Sequence, residues 1–103
     1  MSRLNIIDKG EGYFLVDGDL TFATIDKRAA KSLKFLSTYK EITIDLGQVR
    51  NTDSAGLALM IEWIKSSRAK RSQIRFIHVP KQLQSLARLS GFDKDPHFAA
   101  HLE

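Results

Sequence analysis

The sequence predicts an α/β fold, a small mixed β-sheet with α-helices packed mainly on one face. β-Branched and aromatic runs recur at Tyr13 to Val16, Glu41 to Leu46 and Ile74 to Val79. Stretches with the helical period separate or follow them, and strands separated by helices become parallel neighbours through right-handed crossovers. The earliest strands are joined by tight turns instead, which makes them antiparallel and the sheet mixed. At 103 residues the chain has room for one core, so residues 1–103 form a single domain.

The first elements read as a β-meander of Leu4 to Ile7, Tyr13 to Val16 and Leu20 to Phe22. Gly10 and Gly12 flank the first turn, and Asp17-Gly18-Asp19 supplies turn formers for the second. From Ile25 to Tyr39 a stripe of Ile25, Ala29, Leu33 and Leu36 predicts a helix. Glu41 to Leu46 alternates as a strand should, Gly47 ends it, and Gln48 to Asp53 follow as a polar loop. Asp53 or Ser54 is a suitable cap for a helix running to about Lys70, where Leu57, Met60, Ile61 and Ile64 share a face. Ile74 to Val79 is the last strand, stopped by Pro80. Lys81 to Ser90 is a helix with Leu83, Leu86, Ala87 and Leu89 apolar and Gly91 as its stop. The tail from Asp93 adds a short helical turn.

Composition narrows the function. Hydrophobic residues make up 43% and charged residues 27%, as in globular domains. There is no cysteine, which removes disulfides, thiolate metal sites and a cysteine nucleophile. No apolar run approaches the roughly 18 residues of a spanning helix, and the start lacks a secretory signal, so the expected location is cytoplasmic. The net charge of +4 comes partly from Lys27, Arg28, Lys31 and Lys34 on one helix and from Arg68, Lys70, Arg71 and Arg75 after another. These are solvated faces or surfaces for an acidic partner or an anionic membrane. No zinc-finger spacing or aromatic-studded strand accompanies them, so nucleic acid is not the expected partner.

Catalytic and metal-binding patterns are missing. His97 and His101 are four apart but lack the carboxylate of HExxH, His78 lies in a strand, and no metal or other cofactor is expected. Neither GxGxxG, nor a P-loop, nor GxSxG occurs, and Asp17 and Asp19 are turn residues. The chain therefore reads as a non-enzyme. What stands out is Asn51-Thr-Asp-Ser-Ala-Gly-Leu57, which carries a strand into a helix N-terminus. Asp53 and Ser54 can satisfy the exposed N–H groups there, each cap being worth roughly 1 kcal/mol. Ala55 and Gly56 leave this end low enough for close approach by another surface.

The string from Ile44 to Leu59, IDLGQVRNTDSAGLAL, resembles the signature of the STAS domain, a family named for sulfate transporters and anti-sigma factor antagonists. The resemblance extends to Asp17-Gly-Asp-Leu20 and to Leu86-Ala-Arg-Leu-Ser-Gly-Phe92. It implies a fold that agrees with the prediction above, and two branches compete. In anti-sigma factor antagonists the serine just before the motif glycine is phosphorylated by a kinase that is also the anti-sigma factor. Here that position is Ala55, which has no hydroxyl. The run DSAGLALMIEW is more similar to the STAS subunit of the Mla-type phospholipid-transport ABC transporter of Gram-negative bacteria. That subunit binds the cytoplasmic ATPase at the inner membrane, with the motif's hydroxyl residue, Ser54 here, at the contact.

The resemblance implies a partner-binding surface of Thr52, Asp53, Ser54, Ala55 and Gly56 and the exposed side of the helix. Leu59 and Trp63 lie four apart, rotated off the main stripe. They are either core residues or, if Trp63 is partly exposed, an aromatic interface anchor. A phosphate on Ser54 is the regulatory alternative, since a helix N-terminus tolerates the added negative charge.

Overall fold

The computed structural model describes residues 4–25 and 39–94. Most of the helix expected from Ile25 to Tyr39, with its four basic residues, lies outside that range, as do His97 and His101. Strands β1 (Leu4–Gly10), β2 (Tyr13–Leu20), β3 (Glu41–Thr52) and β4 (Gln73–Ile77) form one sheet in the order β1-β2-β3-β4. β1 and β2 pair antiparallel, whereas β2–β3 and β3–β4 pair parallel. The hairpin between β1 and β2 turns through positive φ at Gly10, Glu11 and Gly12. That conformation costs glycine little.

Two expectations fail together. β2 does not turn at Asp17-Gly18-Asp19, and β3 does not end at Gly47. Each strand continues because the other does: Asp17 pairs with Gln48, Gly18 with Val49 and Leu20 with Thr52. Register shifts on either side of Asp17-Gly18, with Gly18 at φ 107, absorb the turn-forming residues as irregularities in the ladder. Asp19 is buried and accepts a 3.2 Å bond from the Asn51 side chain on β3. Leu20 closes β2, and a turn over Thr21 to Thr24 takes the place of the third strand of the meander.

Helix α1 (Ser54–Ala69) follows β3 after a single residue, and helix α2 (Lys81–Leu89) follows β4. The tail supplies a short 3-10 turn at Phe92–Lys94. The core lies between helices and sheet, built from Phe14, Val16, Ile42, Ile44, Leu46, Ile74 and Phe76 on the strands. Leu57, Leu59, Met60, Trp63, Ile64, Leu83 and Ala87 face them from the helices. Alternate strand residues point to the other sheet face, which carries Tyr13, Leu15, Thr43, Asp45 and Arg75. Leu89, expected in the apolar stripe of α2, is 85% exposed. It sits two residues past buried Ala87, and two residues along a helix is more than half a turn away from the core.

Candidate functional site: the start of helix α1

Asp53 organises this end of the molecule. Its extended backbone ends β3, and its carboxylate caps α1 by accepting the Ala55 N–H at 2.8 Å. The other carboxylate oxygen accepts the Phe22 N–H at 3.0 Å, and the Asp53 N–H donates to the Leu20 carbonyl at 3.2 Å. One residue therefore fastens the helix start to the end of β2 and to the turn beyond it.

That turn is itself tightly bonded. Thr24 Oγ1 donates to the Asp19 carbonyl at 2.6 Å and accepts the Thr21 N–H at 3.0 Å. Two further N–H groups, of Thr24 and Ile25, donate to the Thr21 carbonyl at 3.0 and 2.9 Å. Gly56 explains how the pieces come so close. A Cβ at that position would lie 2.5 Å from Thr52 Oγ1 and 2.7 Å from the Leu20 carbonyl oxygen. Only glycine lets the first turn of α1 rest on the end of β2.

The residues expected at a partner-binding surface divide into two groups. Ser54 is exposed as the first residue of α1, and Asp53 and Ala55 are partly exposed beside it. Ala58, one turn further on, continues the same exposed strip. Thr52, Gly56, Leu59 and Trp63 are buried. Trp63 in particular is 0% exposed and stacks on Phe76 of β4, with ring centroids 6.3 Å apart. Its reading as an exposed anchor is therefore corrected: α1 packs on both β4 and α2, so it buries a wider arc than one stripe and takes Leu59 and Trp63 inside.

The structure also brings forward a residue that sequence reasoning missed. Phe22, at the tip of the Asp53-bound turn, is 84% exposed. No local pattern marks it, because a phenylalanine after a strand reads as more strand.

A second polar cluster lies on the other face of the sheet. Asp45 of β3 accepts a short hydrogen bond from the Tyr13 hydroxyl of β2 and lies 2.9 Å from His78 Nδ1, just past β4. It also accepts the Gly47 N–H at 2.8 Å. Burial alone would push the Asp45 carboxyl up, but the Tyr13, His78 and Gly47 donors outweigh it and hold the carboxyl below its ordinary value. Tyr13 moves up, chiefly because its hydroxyl donates to Asp45 and also through burial and the nearby negative charge. Among the described residues no group of three or more histidines and carboxylates is placed to hold a metal. No helix among them is long and apolar enough to cross a membrane.

A family profile described as "Mlab, STAS domain" matches residues 10–102. The chain belongs to the STAS domain family. No curated protein sequence matches it significantly. Among solved structures, this STAS domain is similar to the anti-sigma factor antagonist SpoIIAA in its unphosphorylated form. The TM-score is 0.69 at 12% identity, covering 97% of this chain and 85% of that one. It is similar also to the phosphorylated form of SpoIIAA, a Bacillus cell fate determinant, with a TM-score of 0.68 at 12% identity and coverages of 97% and 88%. A third likeness is to the murine anion transporter Slc26a9 in its inward-facing state, with a TM-score of 0.65 at 17% identity. There the match covers 92% of this chain but 16% of the transporter. At these identities the likeness is one of fold, and it agrees with the mixed sheet and helices described above.

Proposed function

We propose that this STAS domain is a non-catalytic accessory subunit that binds the cytoplasmic ATPase of an Mla-type phospholipid-transport ABC transporter. It would then be peripheral to the cytoplasmic face of the inner membrane and would serve the maintenance of outer-membrane lipid asymmetry. The observation that carries this reading is the exposed strip of Ser54, Ala55 and Ala58 at the start of α1. It combines a hydroxyl with small side chains that let another surface come close. Ala55 also stands where the antagonist branch carries its phosphorylated serine, and the matching family profile is described as Mlab.

Calorimetry of the domain against the purified ATPase subunit from the same organism tests the proposal. The unaltered domain is expected to bind, and Ser54→Arg is expected to abolish binding while circular dichroism and the unfolding temperature stay unchanged. An arginine there reaches into solvent, so the fold has no reason to respond. Failure of the unaltered domain to bind, or normal affinity in the variant, sinks the reading.

One observation favours a second reading, an anti-sigma factor antagonist in a phosphorylation-controlled partner switch. The Ser54 hydroxyl is accessible at a helix N-terminus, where added negative charge is tolerated. Intact-mass spectra of the protein from its native cells separate the two. A phosphorylated form that disappears in Ser54→Ala supports the switch.

A further inference from the structure

We propose that the end of the domain opposite Ser54 is a membrane-contact surface, with Lys40, Arg68, Lys70 and Arg71 resting on anionic phospholipid headgroups. It rests on the reading of the domain as peripheral to the inner membrane, and adds the surface that makes the contact. Chain direction sets the two ends apart. Strands β2, β3 and β4 are parallel and begin at the same end of the sheet, and α1, the crossover from β3 to β4, runs back to that end. Its 16 residues span about 24 Å, so its last turn, which carries Arg68, lies that far from Ser54. Backbone bonds then collect the cations. The Arg71 N–H donates to the Arg68 carbonyl at 3.1 Å, and the Lys70 N–H donates to the Ser66 carbonyl at 3.2 Å. The Gln73 N–H donates to the Lys40 carbonyl at 2.7 Å and the Ser72 hydroxyl to the Tyr39 carbonyl at 2.8 Å, which brings Lys40 alongside.

All four of these residues are exposed. Among the described residues none of the four is in an ion pair, whereas Lys65, one turn earlier on α1, is paired with Glu62. Glu41 adjoins Lys40, and Asp8 and Glu11 lie with Lys9 at the β1–β2 hairpin. The opposite end has the other bias: Asp17, Asp19 and Asp53 accompany Arg50 and Lys81 there. Complementing the dipole at the end of α1 accounts for Arg68. It does not account for Arg71, which lies beyond the helix at φ 57, or for Lys40, which belongs to another segment. A headgroup layer asks of a protein only positive charge, each lysine or arginine near it adding about fivefold to affinity. Protein interfaces are instead depleted of lysine and centred on aromatic groups, and single-stranded nucleic acid is held by aromatic stacking. Over residues 68–71 the only uncharged side chain is that of Ala69. An anionic bilayer would draw this end in and leave the Ser54 end free for a protein.

Co-sedimentation of the full chain with vesicles tests the proposal. Vesicles of phosphatidylglycerol and phosphatidylethanolamine are expected to bind it and vesicles of phosphatidylcholine are not. Binding should vanish near 1 M salt, where screening reaches only about 3 Å. The double variant Arg68→Gln/Arg71→Gln is expected to bind at least about tenfold more weakly, with its unfolding temperature unchanged. Arg50→Gln/Lys81→Gln removes the same charge from the other end and should bind as the unaltered domain does. No binding to the anionic vesicles, or full binding by Arg68→Gln/Arg71→Gln, overturns the proposal. Equal losses in the two double variants would show a response to net charge alone and overturn it as well. So would transfer RNA that binds through the same arginines more tightly than the vesicles do. Should Arg68→Gln/Arg71→Gln melt lower, Lys40→Gln, outside the helix, must still lose about fivefold for the proposal to survive. Ser54→Arg should bind vesicles normally, so loss of ATPase binding and loss of membrane binding are read separately.

Discussion

Asp45 within β3 and Asp53, the single residue between β3 and α1, put their carboxylates to different uses. Asp45 collects Tyr13, His78 and the Gly47 N–H and so ties β2, β3 and the end of β4 together. Asp53 gives its oxygens to backbone N–H groups of Phe22 and Ala55, and the side chains of those neighbours and of Ser54 are left facing outward. The first cluster has the residue types of a catalytic site and serves as a strand staple. The second has unremarkable residue types and lies at the proposed docking surface. Asp45 thus bonds side chains across the sheet, while Asp53 bonds backbone and leaves small side chains exposed at the helix start.

The largest effect expected from a single change falls at the close approach between the start of α1 and the end of β2. Alanine in place of a glycine inside a helix normally adds up to about 1 kcal/mol of stability. At Gly56 the new methyl would meet Thr52 Oγ1 and the Leu20 carbonyl, and overpacking of this kind costs about 1–3 kcal/mol. Gly56→Ala is therefore expected to be a net loss of up to about 2 kcal/mol by urea denaturation. A stabilised variant would show that the helix start can lift off β2 freely, and the rigidity argued for this region would be gone.

Asp53→Ala comes next, at about 1 kcal/mol for the lost cap. Its diagnostic value lies in where protection from hydrogen exchange is lost. The amides of Phe22 and Ala55 should both exchange faster, because one carboxylate holds both. Faster exchange at Ala55 alone would mean that Asp53 is an ordinary cap and that turn and helix are independent.

The two carboxylates also differ in how far they could be read in advance. The cap at Asp53 was legible because an N-cap is a local arrangement of neighbouring residues, and so were the hairpin glycines and the parallel order of the later strands. Continuation of β2 through Asp17-Gly18-Asp19 was not legible, since local preference favours a turn there and only pairing with residues 48–52 overrides it. Burial of Trp63 depends on having β4 on one side of α1 and α2 on another, which no single helical stripe reveals. The Tyr13–Asp45–His78 cluster joins residues 32 and 33 positions apart, on β2, on β3 and just past β4, and leaves no motif. Phe22 was read as strand for the same reason that its exposure is informative: the chain has left the sheet by that point.

The smallest effect belongs to the Asp45 cluster, the staple of the sheet, and its pH dependence sets it apart from the proposed docking face. Asp45 has a lowered folded pKa, so its contribution is complete above the ordinary value of 3.8 and is lost as pH falls through the lower folded value. Tyr13 has a raised folded pKa, so its contribution is complete below the ordinary 10.0 and is lost as pH rises through the higher folded value. Tyr13→Phe removes the hydroxyl from both titrations. The unaltered domain should therefore melt above Tyr13→Phe at pH 7, with the gap closing in strong acid and again in strong alkali. The Ser54→Arg variant should track the unaltered domain across the whole range, because the Ser54 side chain takes no part in the staple. A Tyr13→Phe gap that stays constant from acid to alkali would show that the phenol contributes through packing, and the contrast between the two carboxylates would then rest on geometry alone.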